Sequence, residues 1–327
     1  MKLSHLMLAS CTVGALSACS TAPVVVTPPP AASAPVPSGP PESEVFLADL
    51  DLASATVSGV KNISRNKGYD NQPSFTPDAR AVWFVSDRTG TPDVFRYDIA
   101  SAQTVQVTAT REAEFSPTPL PDRAGFSATH VAAPDQKGEA YTESQQLWRY
   151  SVDGKPLMPV LKMGRIGYHA WLDGSKVALF IVGSEARKLD NSLVLADVVT
   201  GATTTLATKV GRSLGRTPDG KRISFVDKRD NANWVVVAMG PGDSRPTLLV
   251  ATPKGPAGEA ESERSEDYAW LPDGGLLMAK DGRLMRWDGK PGSALSEFAV
   301  LKDLDGPVKR LAVSRDGKRL AFVVQKR

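Results

Sequence analysis

The sequence predicts an all-β protein, a six-bladed β-propeller closed by pairing of N- and C-terminal strands in one blade. Three observations support this fold. Residues 69–108 contain four short strands, their first turn motif occurs six times along the chain at a nearly constant spacing, and each end of the chain supplies two strands that lack local partners.

The four strands of the first repeat are expected at residues 72–76, 81–86, 93–97 and 104–108. Each is short and rich in Val, Phe, Tyr, Trp and Thr, and turn residues separate them. The second strand is apolar on both faces, so both sides of its sheet must be covered. A sheet of forty residues cannot cover itself, and further copies of the same sheet are the expected cover.

The copies are located by a Pro-Asp-Gly-like turn between two apolar runs. Successive anchors lie 43 to 54 residues apart, a period expected of propeller blades. The anchoring aspartates are Asp78, Asp122, Asp173, Asp219, Asp273 and Asp316. Ala79 and Arg123 replace the turn glycine in the first two copies, and we expect a different turn type there.

The ring is expected to close with strands from both chain ends. Residues 45–49 and 56–63 form two strands before the first repeat, and residues 308–314 and 319–324 form two after the last. Two plus two completes a sixth blade, whereas an open array would leave exposed edges.

These residues carry a resemblance to a known family. The pattern Ser74-Phe75-Thr76-Pro77-Asp78, followed by Trp83-Phe84-Val85-Ser86-Asp87-Arg88 and Asp93-Val94-Phe95-Arg96-Tyr97-Asp98, resembles the propeller repeat of TolB-type periplasmic proteins. The resemblance covers about residues 43–327 and is most specific in the first repeat. It implies a propeller that grips a protein partner, notably the peptidoglycan-associated lipoprotein, at one mouth of its channel. The family's N-terminal α/β domain is not expected in this chain.

The N-terminal region predicts export and lipid anchoring. Residues 1–18 form a short charged and apolar signal, and Leu16-Ser17-Ala18-Cys19 resembles the bacterial lipobox, in which Cys19 is lipidated. The alternative is ordinary signal cleavage without a lipid. Residues 19–42 then form a proline-rich tether and residues 43–327 the propeller. Ser20 resembles the residue that sorts such lipoproteins to the outer membrane, with the propeller facing the periplasm.

Charge and composition limit the other classes of function. Without Lys2 the chain has 38 basic and 36 acidic residues, so nucleic acid is not an expected partner. Cys11 and Cys19 are the two cysteines, and only His130 and His169 remain after the signal, which favours neither a metal site nor a cofactor. We expect a monomer.

One motif of catalytic type occurs in the sequence. Gly211-Arg212-Ser213-Leu214-Gly215 satisfies G-x-S-x-G, the nucleophile elbow of α/β-hydrolases. A second turn and a strand follow it instead of a helix. We therefore interpret it as a chance match, and Ser213→Ala should leave any esterase activity unchanged.

A functional site is expected where the innermost strands begin, at one mouth of the central channel. Polar or aromatic residues precede or begin this strand in every repeat. We call them the rim residues: Tyr69, Asp70, Asn71, Arg111, Glu112, Glu114, Tyr168, His169, Arg212, Arg216, Glu266, Asp267, Tyr268, Lys309 and Arg310. A water-lined channel with internally satisfied ion pairs is the alternative explanation.

Three functions remain open. The resemblance favours a lipid-anchored protein of the cell envelope that binds a protein or peptide at the rim residues and is not an enzyme. The second is a glycan or small-molecule binder or lyase-type enzyme that uses His169, Glu112, Arg212 and Tyr268. The third is a structural envelope component in which the propeller is only a spacer.

Overall fold

Six four-stranded antiparallel sheets form the protein in a computed structural model that describes residues 41–255, 259 and 263–326. The predicted signal, Cys19 and nearly all of the tether lie outside the described residues. Within each sheet, strands that are neighbours in sequence pair with one another, and consecutive sheets are neighbours around a central channel. The predicted fold is therefore confirmed.

The first three blades follow one another along the chain, each with its innermost strand first. Blade 1 contains β3 (Asp70–Phe75), β4 (Ala81–Ser86), β5 (Asp93–Asp98) and β6 (Thr104–Gln106). Blade 2 contains β7 (Ala113–Pro119), β8 (Gly125–Val131), β9 (Gln145–Ser151) and β10 (Pro156–Pro159), with helix α1 (Gly138–Glu143) inserted between β8 and β9. Blade 3 contains β11 (Ile166–Trp171), β12 (Lys176–Ile181), β13 (Ser192–Asp197) and β14 (Thr203–Thr208).

The remaining blades complete the ring. Blade 4 contains β15 (Val210–Arg216), β16 (Ile223–Asp227), β17 (Val235–Met239) and β18 (Thr247–Ala251). Blade 5 contains β19 (Tyr268–Trp270), β20 (Leu276–Lys280), β21 (Arg283–Trp287) and β22 (Ser296–Val300). Blade 6 contains β23 (Val308–Val313) and β24 (Arg319–Gln325) together with β1 (Ser43–Asp51) and β2 (Thr56–Asn62) from the other end of the chain.

The closure of the ring agrees with the prediction. Blade 6 has the order β2-β1-β24-β23, so the N-terminal strands are its outer pair. β1 pairs with β24 over seven residues, from Ser43 opposite Gln325 to Asp49 opposite Arg319. The Lys326 backbone N–H also donates to the Glu42 carbonyl at 2.8 Å.

The hydrophobic core is divided among the blade junctions. In the described residues there are six hydrophobic clusters, and each joins two neighbouring blades. The sequence of β4 is apolar throughout because both of its faces are covered. Val82 and Phe84 pack towards blade 6, and Trp83 packs on Phe126 of blade 2. Blades therefore bury one another's faces, as the repeat predicts.

Two local expectations were wrong. Ala79 and Arg123 do not use a different corner: their φ values of 56° and 61° lie in the left-handed region that Gly220 and Gly317 occupy at the equivalent turns. The chain also contains a helix, α1, although none was expected. Its six residues lack a buried face, so no apolar periodicity announces it. No helix in the described part of the chain combines the length and hydrophobicity that crossing a bilayer requires.

Candidate functional site

A cavity of about 910 Å³ occupies the channel, and all six innermost strands contribute to its wall. The six strands run in the same direction along the channel, so their first residues lie at one mouth and their last at the other. We call these ends the strand-start mouth and the turn mouth. Most of the lining residues belong to the second half of each innermost strand, so the cavity lies towards the turn mouth.

The floor of the cavity is a network of charged and aromatic side chains from different blades. Asp267 of blade 5 accepts from Arg212 Nη2 of blade 4 at 2.9 Å and lies 3.5 Å from Arg310 Nη1 of blade 6. Arg310 Nη2 donates to the Tyr168 hydroxyl at 2.7 Å, and its guanidinium stacks 4.6 Å from the centre of that ring. Because Tyr168 belongs to blade 3, opposite blade 6, this hydrogen bond crosses the channel.

Glu266 supports the network from behind. Its carboxylate forms an ion pair with Arg212 Nη1, accepts from the Arg212 backbone N–H at 3.1 Å and lies 3.2 Å from Lys228 Nζ. Ser213 donates to Asp267 Oδ1 at 3.2 Å. We call Tyr168, Arg212, Glu266, Asp267 and Arg310 the floor network.

Electrostatics keeps Asp267 and Arg310 of the floor network ionised. Burial alone would raise the pKa of Asp267, but Arg212 and Arg310 lower that pKa to about 2. Burial would likewise lower the pKa of Arg310, but Tyr168 and Asp267 raise it above its usual value. The opposite charges of Asp267 and Arg310 are therefore both present over the physiological pH range.

Backbone bulges occur in three innermost strands, at residues that line the cavity. Gln72, Ser116 and Arg310 have φ values of 56°, 55° and 48°, and each lies at a register shift in an innermost strand. The Gln72 side-chain carbonyl accepts from the Ser116 backbone N–H at 2.7 Å, which joins blades 1 and 2. Bulges of this kind re-aim side chains beside functional sites.

The wall contains two similar aromatic clusters. Trp171 Nε1 donates to Ser127 Oγ of the preceding blade at 2.9 Å, and His169 Nε2 lies 2.7 Å from the same hydroxyl. Trp270 Nε1 and the Tyr268 hydroxyl each donate to Ser224 Oγ at 2.8 Å in the corresponding place. Both tryptophans line the cavity while joining two blades.

His169 is a neutral residue in this wall. Burial lowers the pKa of His169 to about 3. Its Nδ1 atom is buried and has no hydrogen-bond partner among the described residues. It is therefore a polar group that a ligand in the cavity could satisfy.

The rim residues are only partly brought together. The members that line the cavity are Tyr168, His169, Arg212, Arg216, Asp267, Tyr268 and Arg310. Glu266 lies behind them, and Tyr69 interacts electrostatically with Tyr168, Arg310 and Arg212 while burial raises its pKa. Arg216 alone of these lies at the turn mouth.

The other rim residues lie away from the cavity. Asp70 is fully buried beside Arg88 at 3.2 Å, and Asn71 Nδ2 donates to Ser43 at 3.4 Å. Arg111 is exposed, Glu112 is half-buried, and Lys309 Nζ donates to the Glu263 carbonyl at 3.4 Å.

Glu114 is also enclosed, between blades 1 and 2. It accepts from Thr110 at 2.6 Å and from the Tyr150 hydroxyl at 3.3 Å. Burial and the neighbouring Glu114 raise the pKa of Asp93 to about 6, so Asp93 is a protonatable group inside the junction.

The G-x-S-x-G motif has a packing explanation. Ser213 lies within β15, and no helix receives it. A Cβ atom at Gly211 would lie 2.4 Å from Glu266 Oε2, and one at Gly215 would lie 2.9 Å from Trp270 Cδ1. The two glycines thus allow blade 5 to approach blade 4 closely.

Sequence reasoning missed the residues at the turn mouth. The cavity is also lined by Arg123, Trp171, Asp173, Trp270 and Arg315 near that mouth, and by Gln72 and Ser116 further inside the channel. Several of these residues stand directly beside the anchoring aspartates, so the repeat anchor itself was the signal. Among the described residues no group of His, Cys, Asp and Glu is arranged to hold a metal ion.

The comparisons with known proteins give a consistent fold. No protein-family model matches the chain. A segment of 54 residues is 33% identical to the Tol-Pal system protein TolB of Bordetella pertussis, and equally to that of Bordetella parapertussis. This segment is 16% of the chain, and it spans only 11% of the length of these relatives.

Solved structures resemble the whole ring. The structure of putative TolB from Agrobacterium tumefaciens has a TM-score of 0.62 at 13% identity, covering 88% of this chain and 99% of that one. TolB from Acinetobacter baumannii has a TM-score of 0.52 at 16% identity, covering 86% and 64%.

The prediction that the chain is not an enzyme was wrong, because enzymes are among the solved structures that share this fold. A gluconolactonase from Xanthomonas campestris has a TM-score of 0.57 at 12% identity, covering 88% of this chain and 98% of that one. An oligogalacturonate lyase in complex with manganese has a TM-score of 0.55 at 15% identity, covering 82% and 80%. The same ring therefore carries enzymes as readily as TolB, and the chain has the fold of TolB and of related six-bladed β-propellers.

Proposed function

We propose that this propeller binds a segment of a protein partner in its central channel, in a role resembling that of TolB-type proteins in the bacterial cell envelope. The observation that carries the proposal is the cavity of about 910 Å³ lined by all six innermost strands. Its volume is near the upper end of ordinary ligand pockets, which suits a segment of chain. The local similarity to TolB supports the same role.

The floor network makes this cavity rigid before a partner arrives. Its charges are already paired across blades 3, 4, 5 and 6, so binding does not have to order them. The rim residues within the cavity then act mainly as a fixed base on which a segment rests, and the polar atoms of the wall supply further hydrogen bonds.

The proposal includes the predicted position in the cell. Export by residues 1–18, lipid attachment at Cys19 and the tether of residues 19–42 would hold the propeller at a membrane, with the outer membrane as the expected one. Mass spectrometry of the mature N-terminus tests this part separately, because a diacylated or triacylated Cys19 is expected.

Site-specific crosslinking in intact envelopes tests the binding proposal. A photoreactive amino acid at Arg216, which is exposed and lines the cavity, should give a discrete protein adduct. The matched control is Val199, which is 79% exposed and does not line the cavity. Adducts of equal strength at both positions, or at Val199 alone, would contradict the proposal.

A second function is favoured by His169 and the two tryptophans. A buried, neutral imidazole with an unpartnered Nδ1 stands in a wall that also contains Trp171 and Trp270, an arrangement suited to a sugar or another small molecule. A ligand-induced rise in melting temperature with oligogalacturonate or gluconolactone, lost in His169→Phe, would support this function. The absence of a shift with either compound would count against it.

A further inference from the structure

Three arginines stand at the turn mouth on alternate blades. Arg123 follows β7 in blade 2, Arg216 ends β15 in blade 4, and Arg315 follows β23 in blade 6. All three are exposed and line the cavity. Within residues 41–255, 259 and 263–326, none of the three forms an ion pair.

The carboxylates close to this mouth are already engaged. Asp219 accepts from Thr217 at 2.5 Å and from the Lys221 backbone N–H at 3.0 Å. Asp316 accepts from Ser314 at 2.6 Å and from the Lys318 backbone N–H at 3.1 Å. These hydrogen bonds lower the pKa of both carboxyl groups, which hold the corners of their turns.

The charged residues that line the cavity have a positive balance. Its lining contains five arginines and two aspartates. Asp267 is matched to Arg212 and Arg310 on the floor, and Asp173 accepts from the Ser175 and Lys176 backbone N–H groups at 2.7 Å. The three arginines of the turn mouth remain to meet a ligand that approaches from solvent.

Resting on the proposed function, we infer that the partner segment is acidic and enters the turn mouth, where Arg123, Arg216 and Arg315 contact its carboxylates. Guanidinium groups bind carboxylates with two hydrogen bonds, and their distribution over three blades suits several carboxylates along one chain. A cavity of about 910 Å³ is too large to be filled by a single carboxylate. The positive mouth also attracts such a segment before contact.

Fluorescence anisotropy with a labelled decapeptide containing four glutamates tests this inference on the folded full-length chain. The matched probe carries glutamines at the same four positions. We expect the acidic peptide to bind at least tenfold more tightly than the neutral one, and its affinity to fall as salt is raised from 50 to 300 mM. Equal binding of the two peptides overturns the inference.

The triple variant Arg123→Gln, Arg216→Gln and Arg315→Gln should lose at least tenfold in affinity for the acidic peptide. The control variant Lys155→Gln, Lys188→Gln and Lys302→Gln removes the same number of charges from exposed positions outside the cavity and should change the affinity less than twofold. Equal losses of affinity in the two variants would show that net charge alone causes the effect, and would overturn the proposed site at the three arginines.

Two further outcomes separate this inference from the proposed function. A protein adduct at position 216 in envelopes, with no binding of the acidic peptide, overturns the acidic chemistry and leaves the proposed function standing. Preference for oligogalacturonate over the acidic peptide, without any envelope adduct, overturns both and favours a polysaccharide ligand.

Discussion

The two ends of the channel hold arginines in opposite ways. In the floor network, Arg212 and Arg310 contact carboxylates and a tyrosine from other blades. At the turn mouth, Arg123 and Arg315 face solvent without ion pairs among the described residues. Arginine thus has a structural role at one end of the channel and is available to a ligand at the other. The difference is that the floor arginines are half-buried against a charged partner.

The largest expected difference between the two ends concerns stability. Asp267→Ala leaves Arg212 and Arg310 without their shared carboxylate, and it should lower the free energy of unfolding by about 3 to 5 kcal/mol. Arg315→Ala should change it by no more than about 0.5 kcal/mol. Urea titration of both variants measures the contrast, and similar losses would show that the floor is not structural.

The pH dependence of stability sharpens the comparison. The pKa of Asp267 is about 2 in the folded protein against 3.8 ordinarily, so its stabilisation is present above about pH 4 and lost as the pH falls through 2. This loss should amount to about 2 kcal/mol. The melting temperature should therefore fall less steeply between pH 5 and pH 2 for Asp267→Asn than for the unchanged chain. Parallel curves of melting temperature against pH would contradict a lowered pKa at Asp267.

The hydrogen bond across the channel should have a smaller effect. Tyr168→Phe removes the hydroxyl that accepts from Arg310 but keeps the ring beneath the guanidinium, so it should cost about 1 kcal/mol. Tyr168→Leu removes the ring as well and should cost more. If Tyr168→Phe leaves the urea midpoint unchanged, the crossing bond does not stabilise the floor.

The smallest expected effect is at the turn mouth. Arg123→Gln and Arg216→Gln should each change the free energy of unfolding by less than about 0.5 kcal/mol, because both side chains are exposed. Differential scanning calorimetry checks this. A loss above about 1 kcal/mol at either position would mean that these arginines support the fold and would remove the contrast between the two ends.

The sequence was sufficient for the ring because each blade repeats the same local chemistry. The anchor at Asp78 recurs in every blade, and the strands at residues 45–49 and 319–324 indicate the closure from the sequence. The left-handed corners at Ala79 and Arg123 were not predicted, because glycine is the residue that normally adopts a positive φ. The turn imposes a similar positive φ at these two positions as at Gly220 and Gly317.

The site was predicted less completely for a physical reason. Register placed Tyr168, Arg212, Asp267 and Arg310 near one channel, but Tyr168 and Arg310 are separated by 142 positions and meet only because their blades are opposite. No local pattern distinguishes Arg212, which forms ion pairs, from Arg315, which forms none with the residues that the structure describes. Reversing the charges of Glu266 and Asp267 is an obvious test of binding at the rim residues. Because both carboxylates pair with Arg212, we expect this change to destabilise the floor network, so it would not measure binding alone.

The seam between β1 and β24 has a consequence for how the molecule is made. β1 is largely buried on both faces, yet its partner strand lies far along the chain, with Asp49 opposite Arg319, 270 positions later. A search over so long a separation is slow, and until it succeeds β1 exposes an apolar, unpaired edge. Until β1 pairs with β24, the folding chain is therefore most prone to aggregation, and a chaperone would have its largest effect at this step.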